Sequence, residues 1–197
     1  MGRDKRLLRP WGDDGPTLLE RATVLLAPHC DEVIVTIGAD EDWGALRGGA
    51  VARFARDGLA DAGPLAGIVA GMTAMRGDLA LVLACDMPRV RNDMLRGLLA
   101  ATGGGQCIVP LRPGGDARNA MGAEPLLAVY AREALETLRA ALGEGERSPA
   151  EALLRCDVRY LPPDVWHDWD ADGVSFDNLN TAGDLTRRSQ DARGSAA

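Results

Sequence analysis

The sequence predicts an α/β domain, a Rossmann-like three-layer fold built around a mainly parallel central sheet. Three observations carry this. Short apolar runs alternate with amphipathic helical stretches along most of the 197 residues. Every residue from 33 to 37 is β-branched, as strands favour. Residues 79–84 are almost wholly apolar, and a strand of that kind is covered on both faces, which sets it at the centre of a parallel sheet.

The elements follow in order. Leu18, Leu19, Ala22, Leu25 and Leu26 share one helical face. The strand 33–37 comes next, and another near 51–55 ends before Asp57. A small-residue helix over 65–75 leads into the strand 79–84. Asn92 opens a helix that runs through Leu99 and stops at Thr102-Gly103-Gly104-Gly105. Residues 107–111 and 126–130 are further strands, and 132–142 is a helix ended by Gly143. Ser148-Pro149-Ala150-Glu151 reads as a capping box with proline at the first helical position, so another helix follows. A late strand covers 158–161. With no repeat or linker in view, 1–186 is one domain, and the small, polar stretch 187–197 reads as a frayed tail.

Composition narrows the function. A chain of this length that is 46% hydrophobic can bury one substantial core. Its net charge of -7 gives no basic face for a nucleic acid. No apolar run approaches the roughly 20 residues that cross a bilayer. The first six residues lack the apolar stretch of a secretory signal, and Arg6 stands where a myristoylation site needs Ser or Thr. Cys30, Cys85, Cys107 and Cys156 are scattered without a CxxC pair, the usage of reduced thiols in a cytoplasmic protein. Neither His29 nor His167 has a second ligand candidate beside it, so a structural zinc site is not expected.

The most informative stretch runs from Leu79 to Pro88. An apolar strand is followed at once by Asp86, and ligands of open α/β sheets bind at the carboxyl ends of strands. A lone carboxylate there suits Mg²⁺ held against a triphosphate. The competing reading makes Asp86 a helix cap, although Asn92 is the better cap and lies further on.

Cys85-Asp86-Met87-Pro88 after that strand resembles the metal-binding motif of the molybdenum cofactor guanylyltransferase family. Met1-Gly2-Arg3-Asp4-Lys5 is similar to the end of that family's phosphate-loop motif. The stretch from Asp57 to Ile68, with Gly63-Pro64-Leu65-Ala66-Gly67 inside it, looks like the family's second nucleotide segment. Phe176-Asp177-Asn178-Leu179-Asn180-Thr181-Ala182-Gly183-Asp184-Leu185 is similar to its C-terminal signature, and Glu124-Pro125-Leu126 resembles a segment near its second substrate. The resemblance runs from Met1 to about Leu185 in matching order.

The resemblance implies Mg²⁺-dependent transfer of GMP from GTP to molybdopterin, with release of diphosphate, and a link to the proteins of molybdoenzyme maturation. Lys5 and Asp86 would be catalytic, with Asp86 the metal ligand. Lys5, Asp57, Gly67 and Asp86 would bind the nucleotide, and Asn178 and Asn180 the pterin. Each role has a physical reason and a plainer rival. Lys5 would set a point charge on the triphosphate, or is an ordinary surface lysine. The turn at Gly63–Gly67 would present free helix N–H groups, or is a turn without a ligand. Asn178 and Asn180 flank one leucine, so in extended backbone both amides face one side. Asn180 or Thr181 would otherwise cap a last helix, with Asp184 completing a box.

Two departures stand out. In the family a first strand and a Gly-Gly loop precede the position of Met1, so the expected fold lacks that strand and phosphate loop, and the natural protein is expected to start upstream. Thr36 stands where some members carry an Asn that contacts the nucleotide, which leaves base choice open. The alternatives are therefore a transferase using CTP or a sugar phosphate, and a catalytically dead carrier of the cofactor.

Overall fold

The computed structural model describes residues 5–39, 52–58, 63–118 and 120–179. Thr17 starts the first helix, α1 (Leu18–Leu26), through a reciprocal capping box. Its Oγ1 accepts the Glu20 N–H at 3.1 Å, and Glu20 Oε2 accepts the Thr17 N–H at 2.7 Å. The β-branched run then forms β1 (Val33–Ile37), which pairs in parallel with β2 (Ala52–Arg56). Helix α2 (Gly63–Ala74) lies directly on β1. A Cβ at Gly67 would stand 3.1 Å from Thr36 Oγ1, and one at Gly71 would stand 3.2 Å from Thr36 Cγ2. Glycine at both positions allows that close approach.

The second sheet holds β3 (Leu79–Leu83), β4 (Cys107–Asp116), β5 (Met121–Ala123), β6 (Leu127–Ala131) and β7 (Val158–Leu161). Its order is β3-β6-β4-β5, with β7 also paired to β4. Alternate residues point to opposite layers. Cys107, Val109, Ala128 and Tyr130 join the core beneath α2, α4 (Leu135–Gly143) and α5 (Pro149–Leu153). Ile108, Leu127 and Val129 join Met94, Leu95 and Leu98 of α3 (Asn92–Ala100) on the other face, with Trp166 of the short α6 (Pro163–Trp166). Three layers are therefore present, as expected. Among the described residues no helix is long and apolar enough to cross a membrane.

The expected strand directions need correction. Only β1·β2 and β4·β7 are parallel among the described pairings, whereas β3·β6, β4·β6 and β4·β5 are antiparallel. Short links between neighbours at β4, β5 and β6 leave no room for the crossover that a parallel pair needs. Among the described residues β3 pairs with β6 alone. Its unbroken apolarity reflects α2 on one face and the α1 and α3 layer on the other, and cover of that kind says nothing about direction. Leu81 and Leu83 pack with the α3 core, while Ala80 and Val82 pack with the α2 core.

Among the described residues no strand lies between β1 and β3. Both line one cavity of about 1250 Å³, with Gly67, Ile68, Gly71 and Met72 of α2 on one wall and Leu19, Ala22, Thr23 and Leu26 of α1 on another. At the amino end, Glu32 Oε1 accepts the Arg76 N–H at 2.6 Å while its other oxygen pairs with Arg53. The starts of β1 and β3 are thus tied together.

Smaller corrections concern helix ends. The cap of α3 is Arg91, without a side-chain bond, and Asn92 is the first helical residue. Asn92 Oδ1 instead lies 3.0 Å from His29 Nε2, a partner too distant in sequence to foresee. The stretch 132–142 begins as a 3₁₀ turn (Arg132–Ala134) before α4. Ser148 does cap α5, accepting the Glu151 N–H at 3.4 Å with Pro149 at the first position. All four cysteines are free. Cys107 and Cys156 nonetheless meet: the hydrogen bond between their thiols, with burial, holds Cys107 well above the ordinary thiol range. The tail 187–197 lies outside the described residues.

Candidate active site

The cavity's carboxyl end gathers most of the residues singled out by the sequence. The Asp57 N–H donates to the Ile37 carbonyl at 3.0 Å, which holds Asp57 one step beyond β2 at the end of β1. Arg56 Nη1 donates to the Ala39 carbonyl at 2.6 Å and steadies the chain leaving β1. Helix α2 begins here at Gly63, whose φ of 70° is left-handed and suits glycine. Gly63, Pro64 and Gly67 line the cavity beside Thr36 and Asp57. The first N–H groups of a helix have no partner within it, so this wall offers donors to an anion.

Asp86 stands across from this wall. The Ala84 N–H donates to the Leu126 carbonyl at 2.8 Å, carrying the β3·β6 ladder one residue past Leu83. The Met87 N–H then turns back to the Ala84 carbonyl at 3.3 Å, and Met87 is buried. Asp86 is left half-buried and lining the cavity. Lys5, exposed on a 3₁₀ turn (Lys5–Leu7), lines the cavity too, as does Arg6. The Leu18 N–H donates to the Leu8 carbonyl at 2.9 Å and fastens that turn to the start of α1.

The structure therefore brings Lys5, Asp57, Gly67 and Asp86 to one cavity. Asn178 arrives from the far end of the chain: the Leu179 N–H donates to the Asp86 carbonyl at 2.8 Å. Arg89 Nη1 donates to Asp177 Oδ2 at 2.8 Å just beyond. Asn178 Oδ1 is shut off from solvent and has no hydrogen-bond partner among the described residues. Met1–Asp4 and Asn180 lie outside the described residues, as does the suggested cap at Thr181 and Asp184. In the segment Glu124-Pro125-Leu126, Leu126 lines the cavity as well. Glu124 is buried, accepts from Arg112 Nε at 2.8 Å, and accepts the Leu126 N–H at 3.3 Å. It is a brace that sets Leu126 against Ala84.

Asp57 and Asp86 put two carboxylates on this cavity, and among the described residues no group of three or more His, Cys, Asp or Glu side chains could hold a metal by themselves. Mg²⁺ uses one or two carboxylates and takes its remaining oxygens from phosphate and water. The donor set fits Mg²⁺ brought with a triphosphate.

The MobA-like NTP transferase domain matches residues 1–168. A probable molybdenum cofactor guanylyltransferase of Chloroflexus aggregans is 37% identical over 188 residues, which is 94% of this chain and 85% of that protein. The chain belongs to the molybdenum cofactor guanylyltransferase family. Within that family, the molybdenum cofactor guanylyltransferase of Pseudomonas putida is 33% identical over 162 residues, 81% of this chain and 78% of that one. The solved structure of molybdopterin-guanine dinucleotide biosynthesis protein A from Archaeoglobus fulgidus superposes with a TM-score of 0.74 at 26% identity, covering 98% of this chain and 92% of its own. The 2-C-methyl-D-erythritol 4-phosphate cytidylyltransferase of Thermus thermophilus has a TM-score of 0.68 at 19% identity, over 96% and 94%, a likeness of fold alone. As a member of this family the chain is a nucleotidyltransferase with a mixed α/β fold.

Sequence reasoning missed two ion pairs of buried carboxylates next to the candidate site. Arg112 braces Glu124, and Arg91 binds a buried Asp170. A buried carboxylate needs a cationic partner, but which arginine supplies it is settled only by the fold.

Proposed function

We propose that this chain transfers GMP from GTP to molybdopterin and releases diphosphate. One observation carries the reading: Lys5, Asp57, Gly67 and Asp86 line a single cavity, and the Asn178 segment is hydrogen-bonded to Asp86 itself. A cation, two carboxylates and helix N–H groups suit a nucleoside triphosphate carrying a metal. Asn178 adds an amide for the second substrate.

In this reading an oxygen of the pterin phosphate attacks the α-phosphorus of GTP, forming a new P–O bond in line with the one that breaks. The α–β bridging oxygen departs with diphosphate. A phosphate nucleophile is already ionised near neutral pH, so no protein base is needed. Asp86 would hold Mg²⁺, which neutralises charge on the phosphates when bound, and Asp57, lining the same cavity, would accept hydrogen bonds from the nucleotide. Lys5 adds a positive charge where the leaving diphosphate gathers negative charge. Gly67 lets the backbone of α2 approach the nucleotide closely, and Asn178 with Asn180 orients the pterin, so that rate comes from positioning.

The test is to incubate the purified chain with GTP, Mg²⁺ and molybdopterin and to measure the dinucleotide and diphosphate formed. Product with GTP supports the reading. Product with CTP or a sugar phosphate instead moves the chain to the related transferases, and pterin binding without turnover makes it a carrier.

A further inference from the structure

The loop from Asp86 to Arg91 and the segment from Ser175 to Leu179 run alongside each other in opposite directions. Three rungs join them. The Leu179 N–H donates to the Asp86 carbonyl at 2.8 Å, Arg89 Nη1 donates to Asp177 Oδ2 at 2.8 Å, and the Arg91 N–H donates to Ser175 Oγ at 3.1 Å. Asn178 is held between the first two rungs.

The third rung is anchored far more firmly than the others. Asp170 is 1% exposed and Ser175 0% exposed. Asp170 Oδ2 accepts the Ser175 N–H at 2.7 Å, and its Oδ1 lies 3.0 Å from Arg91 Nε. Arg91 also donates from Nη2 to Asp172 Oδ2 at 3.2 Å. Between the two acids and Ser175 the chain turns at Gly173, whose N–H donates to the Asp170 carbonyl at 3.0 Å. The Ser175 N–H satisfies Oδ2, and the Arg91 guanidinium offsets the charge at Oδ1, which has no hydrogen bond among the described residues, so Asp170 ties Arg91 to Ser175. Phe176 follows, packed on Trp166 with ring centroids 4.9 Å apart. From this anchor the segment reaches Asp86 with little freedom.

We infer that Asp170 and Arg91 are positioning residues that set Asn178 against Asp86 and so tune the site for its second substrate. Neither lines the cavity, and they act through the segment they hold. The inference rests on the reading of Asn178 as a pterin contact.

Three variants of the full chain test it: Asp170→Asn, Arg91→Gln and Arg91→Lys. Two readouts are taken, steady-state kinetics with GTP, Mg²⁺ and molybdopterin, and hydrogen exchange of the Leu179 amide without substrates. Asp170→Asn and Arg91→Gln are expected to raise KM for molybdopterin about tenfold and leave KM for GTP within about twofold. Exchange at Leu179 should quicken by about tenfold or more, as its bond to Asp86 opens more often. Arg91→Lys, which keeps the charge on Asp170, should restore part of both effects. Equal rises in the two KM values, or an unchanged Leu179 amide in folded variants, would overturn the inference. Should Asp170→Asn fail to fold, the half-exposed Arg91 supplies both readouts. Should the wild-type chain not use GTP and molybdopterin, the proposed function fails, while the exchange result still decides whether Asp170 and Arg91 hold the segment.

Discussion

The backbone amide of Leu179 meets the carbonyl of Asp86 at 2.8 Å, so two stretches from opposite halves of the chain share one hydrogen bond at the candidate centre. That bond brings the segment carrying Asn178 alongside the turn that carries Asp86.

Asp86→Asn should keep the fold and cut dinucleotide formation by about two orders of magnitude or more, the scale of losing a metal's charge stabilisation. Turnover at saturating Mg²⁺ is the measurement. A near-normal rate would remove Asp86 from the role of metal ligand.

Alanine at Asn178, and at Asn180, should weaken molybdopterin binding by about tenfold each, roughly the loss of one buried hydrogen bond. GTP affinity should hardly change. Isothermal titration with each substrate checks this, and parallel loss of both affinities would mean that the segment has collapsed.

The cap of α1 gives a prediction in pH. The Thr17 backbone N–H, the largest influence, holds the Glu20 carboxyl below its ordinary value. A lowered carboxylate contributes stability that is full above its unfolded pKa and is lost as pH falls through the folded value. Glu20→Gln should therefore lower Tm at pH 7 and converge with the wild type near pH 3. Thr17→Ala should cost about 1 kcal/mol at pH 7. Parallel Tm curves for wild type and Glu20→Gln across that range would refute the assignment.

Much of the fold was legible locally. Val33–Ile37 and Val158–Leu161 are strands because their side chains suit nothing else so well, and Ser148-Pro149 is a helix start in any context. Strand direction was not legible, since Leu79–Leu83 would read the same beside a parallel or an antiparallel neighbour. The extension of β4 to Asp116 was hidden by Pro113, Gly114 and Gly115, which look like a break and are carried instead by pairing with β5. Lys5, Asp57, Gly67 and Asp86, each singled out from a recognisable motif, line one cavity, and Asn178 stands beside the Leu179 N–H that donates to the Asp86 carbonyl. Arg91 and Asp170 belong to no motif, and their bond depends on how α3 meets the C-terminal segment.

The contact of Thr36 with Gly67 and Gly71 restricts what sequence variation this domain can accept. The three positions form a single volume shared between β1 and α2, so drift at one is conditional on the other two. Alanine at 67 or 71 is accommodated where the side chain at 36 is smaller or gives way by a few tenths of an ångström. Among homologues the three positions should therefore change together.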